Sequence, residues 1–174
     1  MKHRLFTLFI YLVLALPLMA QSNGNQVLKP DARPGYEFVF TLLVDCDAAY
    51  TVGDVPGGRR VVIPIRGGTF MGPRLQGTIL GGGADYQIVD TLHNRTSLEA
   101  IYNIRTNDGV TIHVRNRGIL ATQTIDGHST TYFRAAPVFE APYDSPYAWL
   151  NDAIYVCTPE PYEGGVCLNV WKVK

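Results

Sequence analysis

Glu99-Ala-Ile-Tyr-Asn-Ile-Arg-Thr-Asn-Asp-Gly-Val-Thr-Ile-His-Val-Arg-Asn-Arg117 is the stretch on which the fold turns. Asp108-Gly109 lies in its middle, and these residue types tolerate the positive φ of a tight reversal. Folding the chain there sets Ile104 opposite Ile112, Tyr102 opposite Val114 and Ala100 opposite Asn116, with Glu99 opposite Arg117 on the other face. One face is then apolar except for Tyr102 and Asn116. The other carries Asn103, Arg105, His113 and the Glu99–Arg117 pair. A period of two with a single apolar face is the mark of a half-buried antiparallel pair, so the face of Tyr102 points inward.

Similar segments flank this hairpin on both sides. Tyr36 to Cys46, Arg60 to Ile65, Arg74 to Leu80 and Ala84 to Asp90 precede it, and Thr130 to Ala141, Ala153 to Cys157 and Val166 to Val173 follow, all between turns rich in the chain's 17 Gly and 11 Pro. Leu80-Gly-Gly-Gly-Ala-Asp85 reads as one of those turns. It is not a phosphate loop, because no Gly-Lys-Ser/Thr follows it. Only Ser145 to Asp152 reads as helical, one or two turns with Ser145 as cap and Pro146 in the first position. So many antiparallel strands predict an all-β protein, a single closed or nearly closed barrel, since closure alone removes sheet edges. A β-sandwich is the alternative.

Composition narrows the function. With 47% hydrophobic residues, ten Tyr and seven Phe, the 174-residue chain has ample material for one core and is far from the composition of disorder. Fifteen Lys and Arg balance fifteen Asp and Glu at a charged fraction of 17%, with no basic run beyond Met1 to Arg4. That distribution disfavours nucleic-acid binding through a phosphate-neutralising face.

Lys2, His3 and Arg4 precede an apolar run from Leu5 to Met19, and Ala20 is followed by polar Gln21-Ser-Asn-Gly-Asn25. This is the layout of a secretory signal peptide over residues 1–20, cleaved after Ala20. A membrane anchor is the alternative, but the run is broken by Pro17 and is short for a span, so no membrane span is expected after cleavage. A flexible segment, 21–35, then leads into a single barrel domain, 36–174. The expected location is periplasmic or secreted. Export places Cys46, Cys157 and Cys167 in an oxidising compartment. A hairpin turning about Tyr162 sets Cys157 opposite Cys167, which predicts a disulfide between them and a free Cys46.

Beyond these physical readings, the run Ile65-Arg-Gly-Gly-Thr-Phe-Met-Gly-Pro-Arg-Leu-Gln-Gly-Thr-Ile-Leu-Gly-Gly-Gly-Ala-Asp-Tyr86 resembles the central signature of the family catalogued as domain of unknown function 3237. Tyr102 to Gly109, Val114 to Gly118, Tyr132 to Glu140 and Tyr147 to Asn151 resemble later parts of it in order, so the likeness covers the chain from about Tyr36. It implies a compact lipocalin-like β-barrel and no particular reaction. Tyr86 stands where that family usually has Trp, and the C-terminal cysteine pair is not one of its features.

Familiar catalytic patterns are missing. His93, His113 and His128 are scattered, no paired-His or Cys-x-x-Cys spacing exists, and neither Gly-x-Ser-x-Gly nor Ser-x-x-Lys occurs. No metal or cofactor is therefore expected. What stands out is a set of polar residues on apolar strands. Arg134, Tyr132 and Glu140 share one face of their strand, and placing that face inward joins them to Tyr102, Asn116 and Asp85. Arg134, Tyr102, Asn116 and Tyr132 are then candidate binding residues, with Tyr86 and Trp149 completing the lining, and Asp85 and Glu140 are candidate bases. Convergent polar groups in an apolar barrel suit a small, partly apolar metabolite. Three functions follow: an exported small-molecule-binding barrel; a cofactor-independent lyase, isomerase or cyclase with a buried carboxylate as base and an Arg/Tyr/Asn oxyanion site; or a structural or protein-interaction envelope domain using Tyr143 to Leu150 as its sticky patch.

Overall fold

The turn at Asp108-Gly109 forms as its residues dictate. Gly109 has φ +92°, its amide donates to the Thr106 carbonyl at 2.9 Å, and the Thr106 hydroxyl bonds the Asp108 carboxylate and accepts from the Val110 amide at 3.0 Å. The flanking strands take the expected register, with Ile104 opposite Ile112, Tyr102 opposite Val114, Ala100 opposite Asn116 and Glu99 opposite Arg117.

Around this hairpin the computed structural model, which describes residues 33–174, builds a nine-stranded antiparallel sheet. The strands are β1 (Tyr36–Cys46), β2 (Tyr50–Val55), β3 (Gly58–Met71), β4 (Gln76–Asp90), β5 (Arg95–Thr106), β6 (Thr111–Ile125), β7 (His128–Glu140), β8 (Tyr155–Tyr162) and β9 (Gly165–Val173). Pairing of β1 with both β9 and β3 closes eight of them into a barrel, and β2 is an extra strand on the outer edge of β3. A 3₁₀ turn, Ala148–Asp152, is the helical element of the described residues. Its start carries no side-chain cap; the Ser145 hydroxyl instead bonds the Pro142 carbonyl at 2.7 Å. The signal-peptide reading of residues 1–20, and most of the segment that follows, lie outside the described residues.

Two local readings change. Leu80 to Ala84 is a bulge inside one long strand, where the β4–β5 register shifts, and not a turn between two strands. A matching shift between Ile65 and Gly68 in β3 lets both strands bend together into barrel curvature. Strand β2 was not expected at all, because Tyr50-Thr-Val-Gly-Asp-Val is short and interrupted by Gly53.

The C-terminal hairpin overturns the expected disulfide. Its turn is Glu163-Gly164, with Tyr162 opposite Gly165, so Cys157 pairs with Val170 and Cys167 with Glu160. The offset is odd, which sends Cys157 into the core and Cys167 to the outer face. All three cysteines are free. Thiol titration in denaturant should find three reactive groups per chain, and one would show that the hairpin register is wrong.

The barrel is packed at one end and hollow at the other. Phe40 meets Phe70 and Phe139 at ring-centroid distances of 5.7 and 5.5 Å, and Phe139 meets Tyr155 at 5.0 Å. Leu75 and Leu150 are buried in the same core cluster. Tyr147 tethers the 3₁₀ turn to the central hairpin through its hydroxyl, which donates to Asp108 Oδ1 at 3.0 Å. Between β7 and β8 a single pair, Ala135 with Cys157, is formed. Extending that register would place Pro137 opposite Tyr155, and Pro159 and Pro161 opposite Phe133 and Thr131. Proline has no amide to donate, so this seam cannot zip.

Candidate functional site

The hollow end is a chamber of about 300 Å³ inside the barrel. Side-chain alternation decides what lines it. On β4, Asp85 and Gln87 face in; on β5, Leu98, Ala100 and Tyr102; on β6, Asn116, Gly118 and Leu120. Phe133 and Ala135 of β7, with Cys46 of β1 and Pro159 and Pro161 of β8, complete much of the wall. The lining is apolar except for a cluster of Asp85, Gln87, Tyr102 and Asn116, and no Arg, Lys or His is among the lining residues described.

Asp85 sits on the strand just past the Gly81–Gly83 bulge. Its Oδ2 accepts a 2.7 Å hydrogen bond from the Gln87 side-chain amide. Its Oδ1 is buried with no partner. Burial raises its pKa above the ordinary carboxylate value, and the Gln87 bond and then the Glu99 backbone amide oppose that only in part. Tyr102 is 2% exposed, and its hydroxyl is likewise buried and unpartnered. Burial, and then the nearby Cys157 and Asp85, push its pKa upward, so the phenol stays protonated and is available to donate. Asn116, 6% exposed, donates to Cys157 Sγ at 3.5 Å. Burial pushes the Cys157 thiol up to about 11. Cys46 is raised too, by burial first and then by Asp85, Asp45 and Asp47, so neither sulfur is an activated nucleophile.

The structure thus brings together Asp85, Tyr102 and Asn116 and sends the other candidates elsewhere. On β7 the inward positions are Phe133, Ala135, Pro137 and Phe139; Tyr132, Arg134 and Glu140 are exposed on the outer face. The reason is energetic: the apolar set removes more hydrocarbon from water, and an Arg inside would need a buried counter-charge. Arg134 donates instead to the Phe133 carbonyl at 2.6 Å. Tyr86 faces out because its neighbours Asp85 and Gln87 face in. Trp149 lies in the 3₁₀ turn packed on the core, with the Arg74 guanidinium 3.9 Å above its ring. The Tyr143 to Leu150 patch is broken up as well: Tyr143 is 88% exposed, but Leu150 is buried in the core. Sequence reasoning missed Gln87, whose shared parity with Asp85 was the available signal.

Comparison with known proteins settles the lineage. Residues 34–173 match the family described as "Protein of unknown function (DUF3237)". The chain belongs to this family. A UPF0311 protein of Clostridium acetobutylicum is 33% identical over 150 residues, covering 79% of this chain and 93% of that one. Among solved structures, a conserved protein of unknown function from Rhodopseudomonas palustris superposes with a TM-score of 0.73 at 30% identity, covering 82% of this chain and 99% of its own. A β-barrel-like protein from Acinetobacter baumannii gives 0.73 at 29%, covering 82% and 97%. This family member is accordingly a β-barrel of a family without an assigned function.

Proposed function

We propose that this DUF3237 protein is an exported barrel that holds a small, largely apolar molecule in its chamber, with Asp85 and Tyr102 anchoring the molecule's polar end. The observation that carries the reading is the pair of buried, unpartnered oxygens, Asp85 Oδ1 and the Tyr102 hydroxyl, beside one chamber. A buried polar atom without a partner costs about 1–3 kcal/mol, a cost that a ligand offering both a donor and an acceptor removes. The absence of cationic groups from the described lining favours a neutral ligand over an anionic one. The volume, about 300 Å³, suits a compact molecule.

Native mass spectrometry of protein purified from its own host tests this. Wild type should carry a small molecule that denaturation releases, and Tyr102→Phe should carry several-fold less while remaining as stable. A wild-type protein with nothing bound, confirmed by an empty extract, would reject the reading.

A second reading, proton-transfer catalysis without a cofactor, draws on the raised pKa of Asp85. Its carboxylate would take a proton from a carbon acid, and the Tyr102 phenol would hydrogen-bond the oxygen on which negative charge develops. Chemical change of the released molecule during incubation with fresh protein, lost in Asp85→Asn, would distinguish this from storage or transport.

A further inference from the structure

The outer face of the barrel carries a second depression, which shares Gly118 and Ala135 with the chamber wall but opens to the outside. It lies over the poorly zipped β7–β8 seam and has a volume of about 760 Å³. Its walls include Arg117 on β6, Tyr132 and Arg134 on β7, Val156 on β8, Trp171 on β9 and Tyr36 on β1. No Asp or Glu is among the lining residues described.

The charge there is unbalanced. Arg115 and Arg117 share one carboxylate, Glu99, at 2.6 and 2.8 Å. Arg134 has no carboxylate within salt-bridge distance among the described residues; it has the Phe133 carbonyl and the Tyr132 ring, 5.7 Å from its guanidinium. Arg134 stands opposite Ile119 in the β6–β7 ladder, so Arg117, two residues before Ile119, is its diagonal neighbour on the same face. The positive charge is gathered at the β6–β7 side of the groove. Trp171, with Phe38 packed edge-on at 5.3 Å, and Tyr36 form the opposite side. With strands spaced about 4.8 Å apart, the distance across β6, β7, β8, β9 and β1 is roughly 15–20 Å.

We propose that this groove binds an amphipathic monocarboxylate of the fatty-acid type, its carboxylate on Arg134 with Arg117 beside it and its chain crossing Val156 toward Trp171 and Tyr36. A planar guanidinium without a competing carboxylate matches a carboxylate in bidentate geometry. The long apolar path beyond it calls for a single chain rather than a compact anion. The inference is independent of what the inner chamber holds.

The test uses Trp171 as its reporter. The chain has two Trp, so Trp149→Phe leaves Trp171 alone, and its emission is followed during titration with dodecanoate below its micelle threshold and, separately, with dodecanol. Dodecanoate should give a saturable change, and dodecanol should bind at least tenfold more weakly. Arg134→Ala in that background should weaken dodecanoate tenfold or more, Arg134→Lys should weaken it less, and Asp85→Asn should leave it unaltered. Equal affinity for dodecanol, no saturable response to dodecanoate, or an unaffected Arg134→Ala would overturn the proposal. Loss of dodecanoate binding in Asp85→Asn would also overturn it by assigning the ligand to the chamber.

Discussion

Phe40→Ala should destabilise the barrel by about 3–5 kcal/mol, the cost of deleting a large aromatic side chain from a rigid core. Phe40 is fully buried and is the hinge of the aromatic floor, in contact with both Phe70 and Phe139. Its neighbours are held by a closed sheet and cannot collapse into the space it leaves. Urea denaturation should show a large drop in midpoint with an unchanged slope, since the surface exposed on unfolding is nearly the same. Phe133→Ala provides the contrast. Phe133, on β7, already faces the hollow end of the barrel, so its truncation enlarges an existing space and should cost clearly less. Equal costs for the two substitutions would show that the barrel has no packed floor.

Asp85→Asn should separate stability from binding. Burial raises the pKa of Asp85 in the folded protein above its unfolded value, so the folded state holds the proton more tightly. The neutral carboxyl is fully tolerated below the unfolded value. Stability then falls as pH rises from there through the folded pKa, and it stays reduced at neutral pH, where a buried charge must be maintained. An uncharged amide escapes that penalty while its oxygen still accepts from Gln87. The variant should therefore melt higher than wild type at pH 7, with the difference shrinking toward pH 4, and it should lose about tenfold or more of the bound small molecule, because the amide offers donors where the carboxylate offered an acceptor. Thermal melts across pH and native mass spectra of both proteins check the two halves. A variant less stable than wild type at every pH would contradict the burial argument.

Replacing Gly68 gives a third check, on closure itself. Gly68 has φ +131°, and a Cβ there would meet the Leu43 carbonyl oxygen at 2.0 Å across the β1–β3 ladder. Gly68→Ala thus combines backbone strain with a clash that side-chain movement cannot relieve. It should lower the melting temperature more than Gly127→Ala, where φ is +77° but nothing lies within 4 Å.

The sequence by itself determined an all-β chain, most of its strands and the central hairpin, down to which residue faces which in that hairpin; β2 and the unbroken course of β4 through Leu80–Ala84 came from the tertiary structure. Asp108-Gly109 pins that register through its turn, and one apolar face orients it, so Tyr102 and Asn116 were legible as inward residues and Asp85 as their companion. Local information was insufficient wherever two parities were both chemically plausible. On β7, Tyr132, Arg134 and Glu140 compete with Phe133, Ala135, Pro137 and Phe139 for the interior, and only closure of the sheet, which takes the inside away from bulk solvent, decides for the apolar set. The cysteine hairpin is the same lesson in register: nine residues between Cys157 and Cys167 permit several turns, and moving the turn to Glu163-Gly164 flips one sulfur to the opposite face. The chamber and the outer groove are tertiary outcomes for a related reason. Each is assembled from strands far apart in the chain, and each depends on a β7–β8 seam whose prolines matter only once those two strands are brought side by side.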